Sequence, residues 1–264
     1  MEPAAEAVTV FEGRHLRARL FRPKARQLFV SFDSFRPGRT EFDDRGPVKY
    51  YQRRGLAQLQ IQTARNDWYL NDDLEPMLEV LSDCVQPYRR VFSMAFSMGA
   101  FGALRMSGKL RLSRVFLVSP QGTPFSHRGP MDPRFAEHEG NIRADLDLEK
   151  GHLFRKMRGC ILFDPLHHRM DVEHARAVQA MAPGLRAVTL PLSGHPADIT
   201  LLEGNVWHEF QGLLLGRGDA TAGLKALHRR SREVSPSYLE ALSRRLATQG
   251  KGPVGLLRSG KGLP

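Results

Sequence analysis

Cysteine is scarce in this chain of 264 residues, which contains only Cys84 and Cys160. Two isolated cysteines are too few for a disulfide scaffold or a cysteine-based zinc site, and they fit a reducing compartment. The amino terminus also lacks the basic start and the apolar run of about 7–15 residues that a secretory signal needs. We therefore expect a cytoplasmic protein.

Long apolar runs and phosphate-binding motifs are missing as well. No apolar stretch approaches the roughly 20 residues of a membrane span, and the mean hydropathy is -0.37. The sequence has no glycine-rich phosphate loop and no G-x-G-x-x-G after a strand, so nucleotide-dependent chemistry is not indicated. We expect no membrane partner and no cofactor.

Acidic residues are the minority, with 28 Asp and Glu against 39 Lys and Arg, and the net charge is +11. Residues 216–264 hold ten basic and three acidic residues, a net of +7, so most of the excess lies in the tail. Aromatic residues hardly interleave with these charges, which recur on helical faces. Solvated helix surface is the favoured interpretation, and nucleic acid is an unlikely partner.

Short apolar runs alternate with amphipathic stretches along most of the chain. Strands are predicted at residues 8–11, 16–21, 27–32, 55–62, 90–95, 115–118, 159–163 and 187–192, and helices at residues 72–85, 98–106, 172–181 and 199–215. This alternation predicts an α/β fold, a mostly parallel sheet with helices on both faces. Active sites of such sheets lie at the carboxyl ends of the strands.

Two segments depart from the alternation. Residues 119–158 are rich in proline, glycine, histidine and charge without a sustained period, which indicates a cap or insert within a domain of residues 1–215. Residues 216–264 carry two further helical patterns. We expect them to form a basic helical appendage that takes no part in the chemistry and that offers a surface for a homo-oligomer.

One serine lies where an apolar strand runs into a helix rich in small residues. A nucleophilic serine at such a strained turn requires small residues two positions before and after it. Ala95 and Gly99 flank Ser97 in this way, although glycine is the usual residue at the first position. Ser97 is therefore the candidate nucleophile.

An acid and a histidine follow Ser97 in the order Ser, Asp, His. His195 comes just after the strand at residues 187–192, and Asp164 and Asp171 follow the strand at residues 159–163. Parallel strands bring such loops to one edge of the sheet. His195 is the candidate base, and either aspartate can serve as its partner.

With these signals the chain resembles the α/β-hydrolase superfamily, a group of serine hydrolases that includes esterases, from the hairpin at residue 8 to the helix ending near residue 215. The resemblance rests on the topology and on the segments FSMGA, DVEHA and SGH. It implies that Ser97 attacks an acyl carbonyl, that His195 carries the proton, and that an aspartate orients the imidazole. It also implies an oxyanion hole from Met98 and from the loop at Asp33 and Ser34.

The resemblance favours Asp171 over Asp164 as the acid, because Asp171 lies just ahead of the helix expected from residue 172. A helix cap is the alternative role for Asp171. Trp68 and Tyr69 follow a strand and either shape a substrate pocket or pack in the core. His167, His168 and His174 surround Asp171, but we interpret this cluster as a solvated loop and expect no metal.

The function expected from this pattern is hydrolysis of a small-molecule ester or thioester through an acyl-enzyme at Ser97. An acyltransferase would use the same intermediate, and the sequence does not separate the two. The alternative is a catalytically silent binding or scaffold protein with the hydrolase fold, because Ala95 departs from the usual motif and the acid is ambiguous.

Overall fold

Eight strands form one sheet in the computed structural model, which describes residues 7–22, 24–124 and 132–249. The strands are β1 (Ala7–Glu12), β2 (Leu16–Phe21), β3 (Gln27–Phe32), β4 (Ala57–Thr63), β5 (Arg90–Phe96), β6 (Arg114–Val118), β7 (Arg158–Phe163) and β8 (Leu185–Thr189). Their order in the sheet is β1-β2-β4-β3-β5-β6-β7-β8. The hairpin of β1 and β2 pairs antiparallel to β4, and all other pairs are parallel. The predicted fold class is confirmed.

Helices cover both faces of the sheet. They are α1 (Lys49–Gln52), α2 (Leu74–Cys84), α3 (Met98–Met106), α4 (Arg169–Met181), α5 (Ile199–Glu203), α6 (Trp207–Leu215), α7 (Thr221–Ser231) and α8 (Pro236–Thr248). One core lies between the sheet and α2, α3 and α4, and the other lies under α1, α5, α6 and α7. Strand residues alternate between them, so that Leu28 and Val30 face the first core and Phe29 the second.

The helix predicted over residues 199–215 is two helices, α5 and α6. The chain turns at Asn205, which has a φ of 54°, in the left-handed region. Gly204 lies so close to α7 that a Cβ there would be 2.3 Å from the Cβ of Ser231. Packing of α7 against this turn separates the two helices. The short α1 was not predicted, because four residues give too little periodicity.

The insert leaves the sheet after β6 and carries only short 3-10 helices in its described part, at Pro133–Asn141, Ala144–Leu146 and Lys150–His152. Backbone hydrogen bonds attach it to the body, with Arg143 N–H donating to Leu70 O at 2.8 Å and Gly108 N–H to His152 O at 2.9 Å. Residues 125–131 of the predicted insert lie outside the described residues. The insert thus packs on the face of the sheet that carries α2 and α3.

The tail packs on the body through both of its helices. Leu224 and Leu227 of α7 are buried in the second core. α8 buries no residue fully and lies against α5, where Ser235 and Ser237 donate to the two carboxylate oxygens of Glu203 at 2.5 and 2.6 Å. Residues 250–264 lie outside the described part, and a homo-oligomer through these helices stays a prediction. Of the helices described, none combines the length and the apolar character that crossing a membrane requires.

Candidate active site

Ser97 occupies the turn between β5 and α3. Its φ of 47° and ψ of -119° place it in a strained conformation that non-glycine residues rarely adopt. The Ser97 N–H donates to Val118 O at 2.9 Å, which ties the turn to the end of β6. A Cβ at Gly99 would be 2.8 Å from the Asp33 carbonyl oxygen, so this position requires glycine. The turn therefore holds the Ser97 side chain above the strand ends.

His195 follows β8 and lies between Ser97 and Asp171. Its Nε2 is 3.1 Å from Ser97 Oγ, and its Nδ1 is 3.1 Å from Asp171 Oδ2. With the proton on Nδ1, the ring donates to Asp171 and leaves Nε2 free to accept the serine proton. Ser97 and Asp171 are buried, and the His195 side chain is 13% exposed. The geometry brings the three residues into one hydrogen-bonded line.

Asp171 lies in the first turn of α4, because the helix begins at Arg169, earlier than the sequence pattern indicated. His168 is the helix cap, and its Nδ1 accepts from Met170 N–H at 3.2 Å. The capping role considered for Asp171 is therefore taken by another residue. Burial raises the pKa of Asp171, but its hydrogen bonds with His195 and Arg134 outweigh burial, so the pKa is lowered and the carboxylate stays charged.

Arg134 comes from the insert and lies on the far side of the same carboxylate. Its Nη2 donates to Asp171 Oδ1 at 3.0 Å, while its Nε donates to Asp132 at 2.8 and 2.9 Å. Arg134 is an unpredicted member of the site. The insert has no periodicity, so no sequence signal indicated which of its residues reaches the strand ends.

Asp164 does not contact the imidazole. It lies at the end of β7, where Oδ1 accepts from Leu166 N–H at 2.8 Å and Oδ2 accepts from Gly194 N–H at 2.9 Å. Both carboxylate oxygens are thus used by backbone groups of two neighbouring loops. Asp164 fixes the position of the loop that carries His195.

The candidate oxyanion donors differ in their availability. Met98 is the first residue of α3, and the first N–H groups of a helix have no acceptor within the helix, so the Met98 N–H is available. The N–H of Asp33 already donates to Ile61 O at 3.3 Å, so it is not free to bind substrate. Ser34 N–H has no acceptor among the described residues. Met98 and Ser34 therefore remain as candidate donors, whereas the Asp33 N–H is already engaged.

Asp33 instead anchors this loop through its side chain. Its carboxylate accepts from Arg39 Nη1 at 2.8 Å and from Thr63 N–H at 3.2 Å, and it also pairs with Arg45. Burial raises the pKa of Asp33, and the two arginines oppose that shift. The Asp33 carbonyl oxygen accepts from Tyr69 O–H at 2.7 Å.

Trp68 and Tyr69 are both fully buried, so they do not line an open pocket. The indole N–H of Trp68 donates to Gln121, and its ring packs edge-on against Phe135 of the insert with centroids 5.3 Å apart. Tyr69 packs against α3 at Gly102, where a Cβ would meet its ring at 2.6 Å. The insert thus contributes to the burial of Trp68, whereas Tyr69 is buried against α3 and the end of β3. Both residues pack against the loop after β3 that carries the candidate oxyanion donor Ser34.

A cleft of about 410 Å³ opens beside His195, and we call it the His195 cleft. The loops after β7 and β8 form one wall, and α8 forms the other with Glu240, Arg244 and Arg245 among its lining residues. The appendage thus lies beside the candidate site rather than apart from it. The tail's amphipathic pattern predicted a helix there, but not the surface on which it docks.

The histidines around Asp171 have other partners. His168 caps α4, and His174 Nδ1 accepts from Gly122 N–H at 3.1 Å. Over residues 7–22, 24–124 and 132–249, no three His, Cys, Asp or Glu side chains are grouped in a way that would hold a metal ion.

Comparison with solved structures places this architecture among esterases and acyltransferases. The capsule O-acetyltransferase of Neisseria meningitidis serogroup A, solved in complex with CoA, superposes with a TM-score of 0.54 at 11% identity over 80% of this chain and 95% of that chain. An esterase of Pyrococcus furiosus gives a TM-score of 0.48 at 13% identity over 80% and 91% of the two chains. The chain shares its α/β fold with the O-acetyltransferase. No protein-family model matches it, and no curated protein is significantly similar in sequence.

Proposed function

We propose that this protein is a serine-dependent enzyme that acts on an ester or thioester through an acyl-enzyme at Ser97. The observation that carries the proposal is the position of His195, 3.1 Å from both Ser97 Oγ and Asp171 Oδ2. This is the nucleophile, base and orienting acid arrangement of acyl-transfer enzymes. The likeness to an O-acetyltransferase supports the fold that such a site requires.

In the first half of the reaction, His195 Nε2 takes the proton from Ser97 Oγ as the oxygen attacks the acyl carbon. The N–H groups of Met98 and Ser34 would hold the resulting oxyanion, and each such donor is worth about 3 kcal/mol. Asp171 stabilises the imidazolium. When the carbon–oxygen or carbon–sulfur bond breaks, His195 returns the proton to the leaving alcohol or thiol.

In the second half, a water or an acceptor hydroxyl gives its proton to His195 and attacks the acyl group on Ser97. Collapse of the second tetrahedral intermediate returns the proton from His195 to Ser97 Oγ. Water yields hydrolysis and an acceptor yields acyl transfer, so the same residues serve both outcomes. A thioester donor belongs in the test because the O-acetyltransferase was solved with CoA.

The test is turnover of 4-nitrophenyl esters of graded acyl length and of acetyl-CoA by the whole chain, with Ser97→Ala and Ser93→Ala compared. Ser93 lies on the same strand, and its buried hydroxyl has no hydrogen-bond partner among the described residues, so its removal is a matched control. We expect Ser97→Ala to lose at least about 1,000-fold in kcat/KM and Ser93→Ala to stay near wild type. Turnover that survives in Ser97→Ala would contradict the proposal, and absence of turnover with every ester and thioester would favour the silent binding protein.

A further inference from the structure

The His195 cleft is lined by His195, the residue that must protonate the leaving group in the proposed reaction. During acyl transfer the leaving oxygen or sulfur has to meet His195 Nε2, because that atom supplies its proton. The oxyanion donors Met98 and Ser34 lie on other elements, α3 and the loop after β3. The part of the substrate that extends past His195 is therefore the alcohol or thiol part, or the acyl acceptor, and not the acyl chain.

The wall opposite His195 is held in place by specific contacts. Ser235 caps α8 by accepting from Tyr238 N–H at 3.2 Å, and its hydroxyl donates to Glu203 of α5. The N–H of Ser237 also donates to Glu203, at 3.0 Å. The hydrogen bonds with these two serines lower the pKa of Glu203, which keeps the anchoring carboxylate charged. The N-terminal end of α8, where this wall of the cleft begins, is thus attached to the body.

The charged side chains of this cleft differ in how free they are to bind a ligand. Asp164 is buried with both oxygens bonded to backbone N–H groups, so it offers no free acceptor. Glu240 and Arg244 are exposed and 3.7 Å apart, a loose pair on one helix. Arg245 lines the same wall, and no acidic side chain among the described residues lies within ion-pair distance of it. The charge in this cleft that has no ion-pair partner among the described residues is therefore that of a cation, Arg245, and Arg244 beside it is held only loosely.

We propose that the His195 cleft binds an anionic group, a phosphate or a carboxylate, on the alcohol or thiol part of the substrate or on the acyl acceptor, and that Arg244 and Arg245 are its cations. The inference rests on the proposed function, because it assigns the leaving-group side from the role of His195. Guanidinium groups form paired hydrogen bonds with both kinds of anion. The basic tail then selects the substrate.

The kinetic test compares substrates with and without a negatively charged group on the leaving part, and the ratio of variant to wild-type rates on each substrate removes differences in intrinsic reactivity. The substrates are 4-acetoxybenzoate, 4-acetoxyphenyl phosphate and the neutral methyl 4-acetoxybenzoate, with acetyl-CoA against S-acetylpantetheine as the thioester pair. The variant Arg244→Gln/Arg245→Gln removes both cations. The control Lys225→Gln/Arg229→Gln removes two exposed charges of α7 that do not line the cleft.

For wild type we expect higher kcat/KM on the charged substrates. The cleft variant should lose about tenfold on them, since the contacts are charge-assisted but exposed, and should keep its rate on the neutral esters. The benzoate and phosphate arms show which anion the cleft favours. Equal rates on charged and neutral substrates in wild type, or an equal loss in the control variant, would overturn the inference.

A binding arm separates this inference from the proposed function. Calorimetric titration of the folded wild-type protein with phenyl phosphate and benzoate, against neutral benzamide, requires no turnover. We expect binding of an anion that Arg244→Gln/Arg245→Gln abolishes and the α7 variant retains. If no ester is turned over yet this binding is found, the anion site stands and the proposed function falls. If esters are turned over but the protein neither binds these anions nor prefers charged substrates, the proposed function stands and the anion site falls.

Discussion

Arg134 Nη2 donates a 3.0 Å hydrogen bond to Asp171 Oδ1, so a cation of the insert lies directly behind the carboxylate that faces His195. The insert therefore covers the site and also contacts the proposed acid. Asp132 is buried and holds the guanidinium in place through three contacts. The position of this arginine makes the insert part of the electrostatic surroundings of Asp171 and His195.

Replacement of Arg134 should change the pH profile as well as the rate. The Arg134→Gln variant removes a positive charge that competes with the imidazolium for Asp171. Because Arg134 is one of the groups that lower the pKa of Asp171, the carboxylate should take up a proton at a higher pH without it, and the acid midpoint of kcat/KM should move to higher pH. We expect an accompanying loss of about tenfold, because one hydrogen bond to a charged group is removed.

The Arg134→Lys variant keeps the charge and serves as the control. It should restore most of the wild-type profile. A profile that stays in place in Arg134→Gln while only the melting temperature falls would mean that Arg134 is structural alone.

The two aspartates should separate cleanly when each is changed to asparagine. Asp171→Asn removes the acceptor that orients His195, and losses of about 10,000-fold accompany that change in serine enzymes of known mechanism. Asp164→Asn retains one acceptor oxygen for the backbone N–H groups of Leu166 and Gly194 and should cost far less. Burst kinetics with 4-nitrophenyl acetate compare the two. A larger loss in Asp164→Asn would transfer the role of acid to that residue.

Gly99→Ala should disturb the nucleophile turn through contact with the backbone. The added methyl group would be 2.8 Å from the Asp33 carbonyl oxygen, and this oxygen is held by Tyr69. We expect a loss of about 1–3 kcal/mol in the free energy of unfolding and a lower kcat from displacement of the oxyanion loop. Gly151→Ala is the matched control, since nothing lies within 4 Å of its Cβ. Equal stability of the two variants in urea would contradict the close approach.

Asp198, three residues after His195, makes the free energy of unfolding depend on pH. Burial raises its pKa from 3.8 to about 6, and its Oδ1 is buried with no hydrogen-bond partner among the described residues. Because the pKa is higher in the folded state, the folded protein is favoured below pH 3.8, and that advantage is lost as the pH rises through about 6.

Asp198→Asn removes this titration. We expect the variant to be more stable than wild type, and the difference in unfolding free energy should be about 2 kcal/mol larger at pH 7 than at pH 4.5, because wild-type Asp198 is largely charged only at the higher pH. Urea denaturation at the two pH values measures the gain, and Asp198→Ala should show the same difference. A gain that is equal at both pH values would show that Asp198 is not the titrating group.

The strands and the order of the catalytic candidates could be predicted from the sequence because both depend on local pattern. Residues 27–32 and 98–106 were predicted at their observed bounds. Ser97 and His195 follow strands whose carboxyl ends must share one edge of a parallel sheet. The position of Asp171 also follows from this rule, although the start of α4 does not.

The contacts between distant segments could not be predicted. Arg134, in an insert without periodicity, reaches Asp171, which lies 37 positions further along the chain, and α8 reaches the His195 cleft by docking on Glu203. Trp68 and Tyr69 lie after a strand end as the pattern indicates, but both are buried, Trp68 against Phe135 of the insert and Tyr69 against α3. The hydrogen bond from Asp33 N–H to Ile61 O depends on the neighbouring strand, so the sequence could not predict it either.

The proposed function requires Ser97 to be a nucleophile that His195 activates. Treatment of the folded protein with a fluorophosphonate, followed by peptide mass spectrometry to locate the adduct, tests this requirement, with His195→Ala and Ser93→Ala in parallel. We expect a single adduct on Ser97, labelled at wild-type rate in Ser93→Ala and at least about 100-fold more slowly in His195→Ala, where the serine has lost its base. No adduct on the folded protein, or an adduct on another residue, would contradict it.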